Sequence, residues 1–403
     1  MITRTDTDDA QWITTGLDLG GRFRVTGALD RSAIGNWATV VAAESLDPAA
    51  TGGERHVALK IMRGRHLGKP AVYGQFALEA RLLRDWYGLG SAAGLLAAGY
   101  LRDPAYGAQR VDPDGVVLHS EADAFAAEAD LRCAGDWRPF LVLSVVPFTA
   151  TLLHRLRQLH GPHTLALNAV VPLAEAVTIT IAGLDLLDAC HSEQVYYRDH
   201  KPEHVIWRDG RFEFLDWNGG EWVRGPLRGS LPQSEAQLDI QNFIGYAVYP
   251  LYTGCAIDGA AIRPTQRSTP HPPPPTSMSD GDHLPFYGAE AWLPADLRSI
   301  LSRPFWSPMR RYNTAGGMAA DLRAFLQNWR VAGLATRLDR VLDEVAAAQA
   351  HLRQAQRSMN TLVRLADQPR NASLTISSEI RRLQRHLQRM VDGQLFPGEG
   401  SDP

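Results

Sequence analysis

Asp199 and Asp216 are the residues of this sequence best suited to chemistry, and both lie in VYYRDHKPEHVIWRDGRFEFLDWN, from Val195 to Asn218. Lys201 follows Asp199 by two positions, and Pro202, Glu203 and His204 complete a polar loop that runs into the apolar Val205-Ile206-Trp207. Arg208-Asp209-Gly210-Arg211 has hairpin-turn composition, and Phe212-Glu213-Phe214-Leu215 alternates into Asp216 as a second strand would. The pattern predicts a short hairpin with a carboxylate at each end. One carboxylate beside a hydroxyl can orient it and take its proton. A second can hold magnesium on a polyphosphate, and a lysine between them can neutralise charge on the transferred group. These residue types fit phosphoryl transfer.

The stretch Tyr197-Arg198-Asp199-His200-Lys201-Pro202-Glu203-His204 resembles the catalytic loop of eukaryotic-like Ser/Thr protein kinases, usually His-Arg-Asp-Leu-Lys-Pro-Glu-Asn. Asp216-Trp217-Asn218 resembles the metal-binding Asp-Phe-Gly that follows it. The resemblance implies an ATP-dependent kinase in which Asp199 orients the acceptor hydroxyl, Lys201 steadies the γ-phosphate and Asp216 binds Mg2+, with Mn2+ as an alternative ion. His204 stands where the family has an asparagine that ligates a second magnesium. An imidazole is a poorer partner than oxygen for a hard cation, so Asp216 and His204 form the expected but altered metal set.

Upstream, Phe23-Arg24-Val25, Thr39 to Ala43 and His56 to Met62 read as strands, and Val57-Ala58-Leu59-Lys60 resembles the kinase strand whose lysine meets the α- and β-phosphates. Phe76 to Arg84 has helical apolar spacing around Glu79, the residue expected to pair with Lys60. The family's glycine-rich loop falls over Ala33 to Ala38 and keeps only Gly35, with Trp37 at the loop tip or packed inward. Alanine at the outer positions restricts the backbone and its approach to phosphate. Phe140 to Pro147 reads as an apolar strand ending in proline. By resemblance it leads to the hinge, with Leu143 behind the pocket and Ser144 and Val146 offering backbone groups to adenine. Ala105 to Arg138, rich in Asp, Ala and Gly, reads as an insertion without an assigned function.

Downstream, Leu173 to Cys190 reads as a buried core helix. Leu238 to Ala247 resembles the helix whose aspartate, here Asp239, accepts backbone N–H bonds from the catalytic loop; an N-cap role is the alternative. Pro232-Gln233-Ser234-Glu235 resembles a remnant of Ala-Pro-Glu, and Arg311, in Pro308 to Ala315, is the arginine expected to pair with Glu235. No activation-loop phosphosite is predicted, although Arg198 could have received a phosphate. The run from Pro264 to His283 reads as a surface polyproline insertion. Leu334, Leu338, Val341, Val345, Ala348, Leu352, Ala355, Met359, Leu362 and Ala366 then recur at alternating spacings of four and three, a coiled-coil seam. Pro369 and Asn371 break it, and Ile376 to Met390 resumes the rhythm as a second, basic helix.

The fold class expected is therefore α+β: a bilobal protein-kinase-like fold with a C-terminal coiled coil. Residues 1–17 form a tail, 18–148 a small β-rich N-lobe with the insertion at 105–138, 149–330 a helical C-lobe with the insertion at 264–283, and 331–403 the coiled-coil appendage. Composition agrees with a soluble globular protein: 403 residues, 45% hydrophobic, net charge -3. Only Lys60, Lys69 and Lys201 among 41 basic residues are lysine, and two of these fall in kinase-like motifs, where a compact ammonium is needed. The Arg and Ala bias fits a GC-rich bacterial genome. Cys133, Cys190 and Cys255 show no paired spacing, which argues against zinc and for reduced thiols in a cytoplasmic protein. The expected partners are a protein substrate and, through residues 334–391, a second copy or another protein; a membrane span and nucleic acid are not expected. Two rivals stay open. One is a pseudokinase scaffold acting through its coiled coil, and the other a small-molecule phosphotransferase of the aminoglycoside or choline kinase type, which Asp216-Trp217 would also fit.

Overall fold

The computed structural model describes residues 13–29, 37–102, 110–160, 171–217, 221–222, 232–254, 278–286 and 293–366, with positions 378, 380–382 and 385. The chain divides into two compact units, Met1–Phe325 and Leu326–Pro403.

The first part of the larger unit is a mostly antiparallel sheet. Asp18–Leu19 (β1), Phe23–Ala28 (β2), Ala38–Ser45 (β3), His56–Met62 (β4), Leu95–Arg102 (β5), Arg110–Val111 (β6), Val116–His119 (β7) and Trp137–Ser144 (β8) lie in the order β6-β1-β2-β3-β4-β8-β5-β7. Successive side chains of a strand face opposite ways. In β4, Val57, Leu59 and Ile61 join Phe23, Val25, Val41 and Val142 in an apolar cluster. Burying each such side chain is worth roughly 1.5–3 kcal/mol. The intervening Lys60 is buried on the other face, which is covered by the helix Pro70–Trp86 (α1), itself inserting Val72, Tyr73, Phe76, Ala80 and Leu83.

The segment expected as an insertion at 105–138 is, where described, part of this lobe. It supplies β6, β7 and two short helices, Ala122–Ala127 (α2) and Ala129–Cys133 (α3). The Tyr100 hydroxyl donates to the Phe125 carbonyl at 2.7 Å, and the two rings stack at 4.7 Å. The two helices are short and present mostly small or polar residues, which is why the segment reads as an insertion in the sequence.

The remainder of the larger unit is mainly helical, which gives a bilobal α+β arrangement. Leu152–His160 (α4) and Leu173–Ser192 (α5) precede a two-residue strand, Val195–Tyr196 (β9). The hairpin Val205–Arg208 (β10) and Arg211–Phe214 (β11) follows, then Glu221–Trp222 (β12), which pairs with β9. Pro232–Asn242 (α6) runs through a π-helical turn, Phe243–Val248, into Tyr249–Thr253 (α7). A Cβ on Gly183 of α5 would lie 2.3 Å from the Phe243 ring, so glycine is what lets the π-turn close onto α5. Ala295–Ser302 (α8) and Ala315–Ala366 (α9) complete the described helices.

Of the Pro-rich run, only Met278 to His283 is described, and it is tied down. The Met278 amide donates to the Phe305 carbonyl at 2.6 Å, and Asp280 accepts from the Ser307 amide at 3.0 Å. In the smaller unit the seam residues Leu338, Val341, Val345, Leu352 and Met359 are each about half exposed or more; α9 is therefore a long helix without a described coiled-coil mate. Ser378, Ile380, Arg381, Arg382 and Arg385 are helical, and the rest of the expected second helix lies outside the described residues. No helix among the described residues is long and apolar enough to cross a membrane.

Candidate active site

β4 delivers Lys60 to the face covered by α1, and helical spacing along α1 turns Glu79 toward it. Lys60 Nζ lies 2.7 Å from Glu79 Oε1 and 2.8 Å from Asp216 Oδ1. Lys60 and Glu79 are 4% and 2% exposed. Burying such charges is costly unless they pair well. Burial works against the Lys60 charge, but Asp216 and Glu79 outweigh it and hold the ammonium above its ordinary range. Glu79 is pushed up to about 7, chiefly by burial and further by Asp216, with Lys60 opposing.

Asp216 follows a hairpin whose turn takes Asp209 and Gly210 to φ 53° and 75°, left-handed values that favour such a pair. Val205 pairs with Phe214 and Arg208 with Arg211. The residue after the carboxylate, Trp217, is fully buried. It stacks on Trp86 at the end of α1, with ring centroids 6.0 Å apart, and meets Tyr197 edge-on at 5.3 Å. This packing couples the helix that carries Glu79 to the segment that carries Asp216.

The loop from Tyr197 to His204 is fixed from below by Asp239, a fully buried residue within α6. Its carboxylate accepts the Tyr197 amide at 3.2 Å and the Arg198 amide at 3.1 Å. It also lies 2.8 Å from His191 Nε2 and 2.6 Å from His200 Nε2. The N-cap alternative does not hold, because Asp239 sits well inside the helix. Burial would raise its pKa, but His200 and His191 overcome this and hold it far below the usual carboxylate range. Arg198 adopts φ 66°, a left-handed conformation that a non-glycine residue keeps only when its surroundings hold it. The two histidines were not legible as partners: His200 stands where the kinase motif that the loop resembles has leucine, and His191 is one polar residue at a helix end.

Glu235 pairs with Arg198, which corrects the expected pairing with Arg311. Arg311 Nε instead donates to the Trp306 carbonyl at 2.7 Å. The left-handed Arg198 backbone and the position of Glu235 in the first turn of α6 bring these two side chains together.

Asp199 lies between Lys201 and His204. Lys201 Nζ is 2.7 Å from its Oδ1, and His204 Nδ1 is 3.2 Å from its Oδ2. Burial would raise the Asp199 pKa, but the His204 hydrogen bond, the His204 charge and Lys201 bring it down to about 2. His204 is moved upward: burial disfavours its charge, and the Asp199 hydrogen bond together with Asp216 and Asp199 outweigh burial and the repulsion from Lys201. His204 Nε2 lies 4.0 Å from Asp216 Oδ2. One ligand atom from each of Asp199, His204 and Asp216 falls within 4.8 Å of the others, a donor set able to hold a divalent cation.

The structure thus gathers Lys60, Glu79, Asp199, Lys201, His204 and Asp216. Gly35 lies outside the described residues. Ser144 ends β8 with its amide donating to the Gly94 carbonyl at 3.0 Å and its hydroxyl accepting the Gly94 amide at 2.8 Å. Val146 lies two residues further on and is half-buried. Trp37 stacks on His66 at 5.5 Å, which makes it a packed residue.

No protein-family model matches the chain. No curated protein matches it. Among solved structures it is similar to a mutant of the Mycobacterium tuberculosis PknI kinase domain, at 15% identity and a TM-score of 0.45, over 77% of this chain and 98% of that chain. That likeness is too slight to assign a role to any residue.

Proposed function

We propose that the chain is an ATP-dependent phosphotransferase and, within that class, a protein Ser/Thr kinase that transfers the γ-phosphoryl group to a hydroxyl. The observation that carries this is Lys60, buried and shared between Glu79 and Asp216 at 2.7 and 2.8 Å. A structural ion pair needs one carboxylate. Here the second carboxylate comes from a distant loop and belongs to a donor set for a cation. In this role Glu79 holds the Lys60 ammonium where the α- and β-phosphates would lie. Asp199, ionised at neutral pH, accepts the acceptor hydroxyl's hydrogen bond and takes its proton, and Lys201 neutralises charge on the transferred group.

Asp216 and His204 are the residues that would hold the cation, which when bound neutralises charge on the β- and γ-phosphates. Lys201, two residues after Asp199, and the segment Pro308 to Ala315 favour a protein acceptor over a small molecule. The pairing of Arg198 with Glu235 supports activity without activation-loop phosphorylation, because a carboxylate already neutralises that arginine.

The test is incubation with labelled ATP, Mg2+ or Mn2+ and a generic protein substrate. Label on protein is expected from the wild type and should fall about 10²–10⁴-fold in Asp199→Ala. A folded wild type that binds no ATP would end this assignment.

A further inference from the structure

We infer that His204 is a nitrogen ligand that shifts the site from magnesium toward divalent first-row transition ions, with Asp199 as the group that orients it. This rests on the phosphotransferase assignment above and concerns which ion the site selects. Each aspartate turns one oxygen to a lysine and the other toward the imidazole. Asp199 Oδ1 meets Lys201 at 2.7 Å while its Oδ2 lies 3.2 Å from His204 Nδ1. Asp216 Oδ1 meets Lys60 at 2.8 Å while its Oδ2 lies 4.0 Å from His204 Nε2.

These two distances assign the two nitrogens different work. Nδ1 is within 3.2 Å of both Asp199 Oδ2 and the Asp199 carbonyl oxygen. Both are acceptors, so Nδ1 carries the hydrogen. In the neutral ring that leaves the lone pair on Nε2, the nitrogen facing Asp216. A separation of 4.0 Å is too long for a hydrogen bond. It is close to twice an ordinary metal–ligand distance of about 2.0–2.2 Å. A histidine whose second nitrogen donates to a carboxylate or carbonyl is the arrangement that fixes a metal-ligating imidazole and raises its basicity. Mg2+ prefers all-oxygen octahedra and holds its waters tightly, whereas imidazole nitrogen suits transition ions.

The experiment uses the full chain with Mn2+ and β,γ-methylene-ATP, and reads nitrogen coupling to bound Mn2+ by pulsed electron paramagnetic resonance, with histidine carrying 14N or 15N. The wild type is expected to show histidine coupling that follows the isotope. His204→Asn, which restores an amide oxygen, is expected to lose that coupling and to lower the ratio of Mn2+ to Mg2+ affinity about tenfold or more. Asp199→Asn, which leaves a weaker acceptor on Nδ1, should lower Mn2+ affinity about 10–100-fold. Nucleotide-dependent Mn2+ binding without histidine coupling, or an unchanged affinity ratio in His204→Asn, would overturn the inference and leave the phosphotransferase assignment standing. A folded chain, by circular dichroism, that binds neither nucleotide nor Mn2+ would overturn both.

Discussion

Lys60 shows how closely one side chain is specified in a sequence that otherwise prefers arginine. The residue is 4% exposed and its ammonium touches two carboxylates at 2.7 and 2.8 Å. A guanidinium keeps the charge but is planar, wider and fixed in its donor directions. Lys60→Arg is therefore expected to weaken ATP binding about tenfold or more, roughly 1.4 kcal/mol, measured by titration calorimetry; unchanged affinity would mean the compact ammonium is not required. Lys60→Met removes the charge altogether and leaves Glu79 buried. Because burial already pushes Glu79 up to about 7, this carboxyl can take a proton instead of remaining an unpaired charge. A folded-state pKa raised above the unfolded value means that stability is fully present below the unfolded pKa and is lost as pH rises through the folded one. Urea unfolding of Lys60→Met should accordingly show stability falling as pH rises from the usual glutamate value of about 4.3 through and beyond neutrality, because losing Lys60, which opposes the rise, leaves the Glu79 carboxyl higher than in the wild type.

At the scale of elements, α6 acts as a clamp for the Tyr197–His204 loop, gripping it through the buried Asp239 and through Glu235, which pairs with Arg198. Asp239 takes two backbone amides and two imidazoles. Its pKa is depressed in the fold, so its contribution is present above the unfolded carboxylate value of about 3.9 and declines as pH falls below it. Asp239→Asn keeps the shape but loses the charge. It is expected to cost about 3–5 kcal/mol at pH 7, with the gap to wild type narrowing in acid; a gap independent of pH would show that shape and not charge holds the loop. Gly183→Ala tests the contact between α5 and the π-turn. The added methyl meets the Phe243 ring at 2.3 Å, and overpacking of this kind costs about 1–3 kcal/mol, visible as a lower melting temperature.

On the scale of the whole molecule, the candidate site residues all belong to the unit Met1–Phe325, and the exposed seam belongs to Leu326–Pro403. Leu338, Val345 and Leu352 are 59%, 48% and 62% exposed. Replacing all three with glutamate is expected to leave the unfolding of the first unit unchanged within about 0.5 kcal/mol, checked by a melt followed through the tryptophans. Light scattering on the same variant tells whether the seam serves a second chain, since a fall in mass relative to wild type would show that it does.

Much of this was legible in local sequence. The alternation of β11, the apolar runs of β4 and β10 and the helical spacing of α1 and α5 are properties of short windows, where backbone period and side-chain chemistry decide, whereas the order of Lys60, Glu79, Asp199, Lys201 and Asp216 is read through the resemblance to kinase motifs. Other contacts were set only by the packing of residues far apart in the chain. The sequence paired Glu235 with Arg311, and the left-handed backbone at Arg198 brought that arginine to Glu235 instead. It offered His191 and His200 no visible partner, and the burial of Asp239 supplied one. Trp86 and Trp217 are far apart in the sequence and meet only where α1 packs over the site, and the Asp-, Ala- and Gly-rich segment read as an insertion contributes β6 and β7 to opposite edges of the sheet. Sequence determined which groups could do chemistry; tertiary structure decided which atoms face each other, because a few ångströms between one imidazole and two carboxylates are set by every element that supports them.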